Sequence, residues 1–439
     1  MGTTASPPAL SAVFKNSFAY KTVKDRLPVI LTKTIDTTYR HKHDILASHG
    51  EEGSEDLKSI IHHLSELRYR LTTDKPLTPI TSQKPDAAIW NAHLEKLEKA
   101  AGQTPSWFKS SWLDVECYFY RKIQETFECS RFLHDWDPFM FQKEQAFVGA
   151  LEPMTVLAEH VNSLLGDCHK VSEETKCDTI ERLLQISLWG NKFDLSISVG
   201  EQLKHTTSPL QQVDTYRDKI VVNSLPLVLE RLFEEKPSEP LKKRIDFVLD
   251  NAGMELFSDL CLGELLLSLN ICQQVVYHVK NFPWFVSDTT CSDFYWTLEM
   301  LLGNGVAHLR ALGEKWQNRL DDNTFLVKSH MFWTLPYAFN QMPEMAPDLW
   351  KHFNDQSLLV IFKGDLNYRK LVGDLNWPPT TPFDIAVREF RPKTPFVVLR
   401  TLKADVVTGM KEGEVEKLKE NDDKWMVSGD YAVIQYCVS

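Results

Sequence analysis

In the second half of this chain, short apolar runs repeatedly end in carboxylates, a carboxamide or lysines, and that pattern restricts the fold to few architectures. The first is IDFVLDNAGMEL, in which Ile245 to Leu249 lead into Asp250-Asn251. QQVVYHVKNFPWFVSD, ending at Asp288, SLLVIFKGDLNYR, from Ser357 to Arg369, and FVVLRTLK, from Phe396 to Lys403, share the design. Helical stretches such as ELFSDLCLGELLLSLN and CSDFYWTLEMLLGN separate them, and AVIQYCV near the end reads as a last strand. Such alternation predicts βαβ units with a mostly parallel sheet. In an open sheet of this kind the strand ends converge on one crevice, where ligands bind. A crevice holding carboxylates, a carboxamide and lysines suits a metal and a phosphate, and so an enzyme site.

The first half has a different period. From about residue 17 to 198, apolar residues recur at helical spacing. Leu27, Ile30, Leu31 and Ile35 mark a helix over 24–48, and DLKSIIHHLSELRYRL marks another over 56–71 after the acidic spacer EEGSED. TTDKPLTPITSQKP is a connector, and DAAIWNAHLEKLEKA, WLDVECYFYRKIQETF and IERLLQISLWG complete a largely helical half. A polar break, GEQLKHTTSPLQQ, and the charged EEKPSEPLKKR precede the first strand-like run. The expected organisation is a flexible leader at 1–16, a helical domain at 17–205 and an α/β domain at 206–439.

Bulk properties remove several classes of function. The 439 residues are 43% hydrophobic and 25% charged, which is ordinary for globular chains with sizeable cores. A net charge of −11 argues against nucleic acid or an anionic membrane as the main partner. No run approaches the roughly 18 apolar residues of a membrane helix. The opening MGTTASPPALSAVFKNS lacks a basic-then-apolar signal. Met1-Gly2 and Ser6 fit the loose N-myristoylation pattern, but Pro7-Pro8 reads as a leader, and one acyl chain would bind membrane only weakly. The 8 cysteines form no C-x-x-C pair. That usage predicts a reducing compartment, the cytoplasm and secondarily the nucleus.

Among the candidate site residues, Asp250, Asn251 and Asp288 offer hard oxygen donors suited to Mg²⁺ or Mn²⁺. The competing reading of Asp-Asn-x-Gly is a turn with a helix N-cap. In FKGDLNYRK, Lys363, Asp365, Asn367 and Arg369 crowd what reads as a short loop, and Gly364 lets the backbone approach a ligand closely. Lys403 in RTLK is a natural point-charge partner for phosphate, although taken alone it reads as a surface lysine. His41, His43, His49 and the pair His62-His63 lack zinc-site spacing. GxSxG, Walker A and GxGxxG motifs are all absent, and NAGMELF has too few glycines for a nucleotide-binding loop.

Taken together and in this order, DNAG, FVSD, FKGDLNYRK and RTLK resemble the metal-dependent damage-control phosphatases, with RTLK matching the R-T-x-K signature of one subfamily. FAYKTVKDRLPVILTKTIDT, HGEEG, DVECYFYRK and LLQISLWGNKFDLS extend the similarity over nearly the whole chain. The resemblance implies a three-layer α/β/α Rossmann-like domain preceded by a helical domain. It implies a divalent metal on Asp250, Asn251 and Asp288, Mn²⁺ or Mg²⁺ with Co²⁺ or Ni²⁺ as substitutes. It further implies substrate contacts from Asp250, Asn251, Asp365, Leu366, Asn367, Tyr368 and Arg369, with Lys403 on the phosphate. Asn191 and Asp194 fall at the pocket rim. The implied substrates are small phosphorylated metabolites of the fructose 1-phosphate and fructose 6-phosphate type, with no nucleic acid, membrane or specified protein partner. Asp250 and Asp365 are the candidates for base or nucleophile, with metal-activated water as the other attacking group. Ala252 stands where other members carry serine, and removes no expected ligand. Two alternatives remain open: a carboxyl methyltransferase using S-adenosylmethionine, suggested by the name of one family member, and a non-catalytic sugar-phosphate sensor.

Overall fold

The apolar runs form strands because their alternate side chains are buried on opposite faces of one sheet. The computed structural model describes residues 6–167, 172–198, 209–234 and 244–438. Its strands are β1 (Ile220–Asn223), β2 (Arg244–Val248), β3 (Gln274–Val279), β4 (Phe325–Ser329), β5 (Ser357–Lys363), β6 (Phe396–Thr401) and β7 (Ala432–Cys437). They lie in the order β1-β7-β6-β5-β2-β3-β4. β6, β5, β2, β3 and β4 run parallel; β7 opposes β6, and β1 runs with β7. The fold is the expected mixed α/β architecture with a mostly parallel sheet. β1 and β4 were not anticipated, since IVVN and FLVKS are short and only partly buried.

Ile245, Phe247, Leu359, Ile361, Val397 and Leu399 point into one apolar core; Val248, Val360, Phe362, Phe396 and Val398 point into another. This period of two makes a three-layer structure. Helices Leu151–Asp167, Glu173–Ser198, Met254–Ser268, Cys291–Leu302 and Ala307–Asp321 share the first core. Helices Leu27–Arg40, Lys42–Thr72, Asp86–Ala101 and Trp112–Glu128 share the second. The amino-terminal helices thus divide, with Leu151–Asp167 and Glu173–Ser198 packing on the far face of the sheet. The boundary expected at 205–206 lies outside the described residues. Within the stretch read as a leader, Leu10 and Ala12 are buried, and Leu10 N–H donates to Asp374 O. No helix among the described residues is long and apolar enough to cross a membrane.

Two local differences from the sequence reading have simple causes. The stretch expected as one helix over 24–48 is a π turn, Thr22–Arg26, and helix Leu27–Arg40, broken at His41 before Lys42–Thr72; the acidic spacer is helical, with Gly50 (φ 64°) forming the kink inside that last helix. Only glycine adopts that φ without strain. Second, GDLNYRKL is a helix, Gly364–Leu371, and not a loop. Its polar side chains are turned inward against neighbouring elements.

Arg369 on that helix fastens the amino-terminal layer to the sheet. Its guanidinium donates to both oxygens of Asp374 (2.7 and 3.0 Å) and to Glu116 Oε2 (2.5 Å), and lies 3.6 Å from the Trp112 ring centroid. All of these groups are buried, and among the described residues the two carboxylates are paired only through this arginine. Removing one partner of a buried ion pair costs about 3–5 kcal/mol. Arg369→Ala should therefore lower stability on that scale in urea unfolding; a midpoint within experimental error of the parent would contradict the clamp.

Candidate active site

The chain leaves β2 in one direction to build β3 and β4, then returns to the other side of β2 to build β5 and β6. β2 and β5 therefore flank a topological switch point, where α/β sheets open a crevice. Asp250 sits just beyond β2. Gly364, just beyond β5, packs so close that a Cβ on it would lie 1.9 Å from Asp250 Oδ2. Its φ of 83° is a second reason for glycine. The expected close approach is real, but its object is the aspartate.

Asn251 is held from two sides. Its Nδ2 donates to Asp250 Oδ2 (2.8 Å) and Glu255 Oε2 (2.7 Å), and its Oδ1 accepts from Ser287 Oγ (2.5 Å). Glu255 is fixed in turn by Lys363, whose Nζ lies 3.0 Å from Glu255 Oε1 and donates to both oxygens of Asp259 and to Ser187 O. Helix Glu173–Ser198 reaches this network because residue 190 is glycine: a Cβ there would lie 2.7 Å from Glu255 Cα. Burial, opposed by Lys363, lifts the Asp259 carboxyl to about 6.

Asp288 comes from the loop after β3. Asn251 and Asp288 form an isolated antiparallel bridge, Ala252 N–H donates to Ser287 O and Thr289 N–H to Asp250 O. The loop turns through Phe285 (φ 46°) and Val286 (φ 72°), both left-handed, and the latter is a genuine outlier for a β-branched residue. Tyr120 of helix Trp112–Glu128 stacks on Phe285 at 4.4 Å. Burial pushes the Asp288 carboxyl up to about 6 against the attraction of Lys280. Burial, then the charges of Asp288 and Glu255, hold Asp250 well above the usual carboxylate range, opposed by Lys280 and Lys403.

The residues present suit a divalent cation. Among the described residues Asp288 Oδ2 is buried with no geometric hydrogen-bond partner, and the Lys280 ammonium lies 3.1 Å away as its ion pair. Two carboxylates and a carboxamide oxygen form a hard donor set, and their mutual repulsion is what such an ion would relieve. A second cluster, Asp246, His278 and His352, also brings its donor atoms within 4.8 Å of one another. There the histidine Nε2 atoms lie 2.8 and 3.1 Å from Asp246 Oδ1, while Arg244 and Ser357 occupy Oδ2. Arg244 already neutralises the carboxylate, and among the described residues the buried His278 Nδ1 has no partner of the kind a ligating histidine needs.

Asp365 Oδ1 accepts from Arg400 Nε (2.7 Å) and Lys403 N–H (3.2 Å), joining the β5 and β6 ends. The Lys403 ammonium has no hydrogen bond or ion pair among the described residues. Leu366 is buried. Asn367 Nδ2 donates to Val248 O and Lys363 O, and Tyr368 OH meets Thr408 Oγ1 at 3.0 Å with Arg400 stacked on its ring. Arg369 faces the other way, into the clamp described above. A cavity of about 610 Å³ is walled by Asn191, Asn251, Ala252 and Ser287, but not by Asp365 or Lys403. Asp194 lies on helix Glu173–Ser198 with its side chain outside the described residues.

Sequence reasoning did not select Lys280, Glu255, Ser287 or Arg400. Lys280 ends an apolar run as Lys403 does, and Glu255 follows Asn251 by one helical turn, so both carried a signal. Ser287 and Arg400 stood inside quoted motifs without an assigned role. Gly364→Ala should destabilise the fold by about 2 kcal/mol or more, from the positive φ and the clash with Asp250. Chemical denaturation measures this, and an unchanged midpoint would refute the close contact.

Residues 22–418 match the family model described as the damage-control phosphatase ARMT1-like domain. Damage-control phosphatase ARMT1 of Xenopus laevis is 44% identical over 438 residues, covering 99% of each chain. The Danio rerio protein of the same name is 41% identical, covering 98% of this chain and 97% of its own. The Homo sapiens protein is 39% identical, covering 98% of each. With its strand-end carboxylates, RTLK lysine and full-length similarity, the chain belongs to the ARMT1-like damage-control phosphatase family.

Proposed function

We propose that this protein is a divalent-metal-dependent phosphatase acting on phosphate monoesters of small sugars, of the fructose 1-phosphate and fructose 6-phosphate type. The observation that carries the reading is the convergence of Asp250, Asn251 and Asp288 at the switch point, with a Lys403 ammonium, unpaired among the described residues, close enough to act on the Asp250 charge. Asp250, Asn251 and Asp288 would hold the ion, Mn²⁺ or Mg²⁺ by the hardness of their oxygens. When bound, such an ion polarises a phosphoryl oxygen and offsets the charge that develops on it.

The chain's own groups supply the rest. Lys403 binds the non-bridging phosphate oxygens, where phosphoryl transfer spreads its charge. Asp365, anchored by Arg400, fixes the Lys403 backbone and so the direction of its side chain. Asp250 or Asp365 accepts the proton of the attacking water. Asn367, Tyr368 and Arg369 hold the Gly364–Leu371 helix so that Asp365 and the backbone at Leu366 meet the substrate. Asn191 borders the sugar side.

Phosphate release from fructose 1-phosphate by purified protein tests the reading. Release with Mn²⁺ or Mg²⁺, abolished by EDTA, is expected. Asp250→Ala should lower it about a thousandfold, the scale seen when preorganised charge-stabilising groups are removed. Metal-independent release, or full activity in Asp250→Ala, would overturn the assignment. Binding of S-adenosylmethionine with no hydrolysis would favour methyl transfer.

A pH dependence follows from the raised carboxyls. Their folded-state affinity for protons exceeds that of the unfolded chain, near 3.9 for aspartate. Between about pH 4 and 6 the metal-free folded protein therefore binds more protons than the unfolded chain. Their contribution to stability falls as pH rises through that window. A divalent ion must displace those protons, so its affinity rises with pH. Thermal melts with and without Mn²⁺ should show a larger stabilisation near pH 7.5 than near pH 5.5; equal shifts would contradict the assigned ligands.

A further inference from the structure

Beside the site, the amino-terminal helices carry features that monoester hydrolysis does not use. A second cavity, of about 570 Å³, adjoins the one at Asn251, sharing Lys33, Gln142, Val286 and Ser287. Its wall is the π turn Thr22–Arg26 with the start of helix Leu27–Arg40. π turns are rare, cost hydrogen-bond geometry and recur at functional sites. Here the turn brings Lys21, Thr22 and Arg26 onto one cavity.

Two observations point to an anion. Lys21, Arg26 and Lys33 are exposed and have no ion pair or hydrogen bond from their side chains among the described residues. Asp25 is the only carboxylate among the residues lining this second cavity. In the adjoining cavity Asp36 is paired with Arg40, and Lys143 is committed to Asp137 and Asp293. This cationic wall stands on a protein whose net charge is −11. Independently, Thr22 is among the residues lining the cavity, and its buried hydroxyl has no hydrogen-bond partner among the described residues. A buried threonine in a regular helix ordinarily donates to the carbonyl a turn back, as Thr34 and Thr38 do. Thr22 leaves that donor unmet on the element that carries Arg26.

We propose that the π turn is a second anion subsite, formed by Thr22, Arg26 and Lys33 with Gln142 between them and Asn251. On the phosphatase reading above, the preferred substrates are then phosphorylated metabolites with a second anionic group, such as sugar bisphosphates. The hydrolysed phosphate lies at Lys403 and the distal anion at the π turn. Cavities of about 300–1,000 Å³ hold ligands of that size. The distal contacts act mainly on binding, since they lie away from the reacting phosphorus.

Steady-state hydrolysis of fructose 1-phosphate and fructose 1,6-bisphosphate by the full chain, and by Arg26→Ala/Lys33→Ala and Thr22→Val variants, tests this. Wild type should have the higher kcat/KM on the bisphosphate. In the double variant that preference should fall roughly tenfold through KM, the sum of two exposed ion contacts. Thr22→Val removes the hydroxyl at nearly constant shape, and should lower the same preference by a smaller factor. A wild-type preference for the monoester, or a ratio unmoved in both variants, would overturn the subsite. Calorimetric binding of fructose 1,6-bisphosphate separates its failure from that of the phosphatase reading. Binding weakened by the variants without hydrolysis of either ester would retain the subsite and reject the phosphatase. No binding would reject the subsite.

Discussion

The contact between Gly364 and Asp250 is the constraint on which the site depends. Two parallel strands that leave the sheet in opposite topological directions open a gap at their carboxyl ends. Here the backbone after β5 closes that gap onto the carboxylate after β2, with no room for a side chain between them. The Asp250 carboxylate is thus bounded by main chain on one side and held by the Asn251 amide on another. Asn367 adds a second tie, bridging Val248 O at the end of β2 and Lys363 O at the end of β5. Neighbouring strand ends then become one rigid frame, on which Asn251 and Asp365 are set by hydrogen bonds.

That frame concentrates charge, and the balance of signs explains its other residues. Buried Asp288, Glu255 and Asp259 form one network with the half-buried Asp250, which without cations would be strongly self-repelling. Lys363 sits between Glu255 and Asp259, and Lys280 between Asp288 and Leu249 O. These two lysines are buried, each bound on several sides, and serve the structure. Lys403 alone of the three keeps its ammonium uncommitted. The difference separates a lysine that holds carboxylates apart from one left to meet a ligand.

Much of this was legible in the sequence, and the rest was hidden for definite reasons. The apolar runs located β2, β3, β5, β6 and β7, because a strand buried on both faces is almost uniformly apolar. The polar groups at their ends marked the crevice. GDLNYRK was expected as a loop because its polar content hides a helix whose polar side chains bond to buried backbone and carboxylates. The partners of Arg369, Glu116 and Asp374, could not be foreseen, since Glu116 lies 253 positions away in the chain. β1 was missed because four residues with mixed burial carry no periodic signal. The division of the amino-terminal helices between the two faces was equally invisible, since amphipathic periodicity gives a buried stripe but not the surface it meets.

The left-handed Phe285-Val286 pair shows why the helical layer belongs to the site. Such backbone conformations cost about 1–3 kcal/mol each and persist only where the surroundings over-determine them. Here the surroundings are the Tyr120 ring on one side and the hydrogen bonds of Ser287 and Asp288 on the other. Tyr120 stands on the same helix as Trp112 and Glu116, which grip Arg369 on the helix carrying Asp365. One amino-terminal helix therefore bears on the Asp288 loop and on the β5 exit together. The carboxylates on the two sides of the crevice are spaced through the sheet and, independently, through this helix. An α/β half without it would keep its strands and lose the constraint on the Asp288 loop.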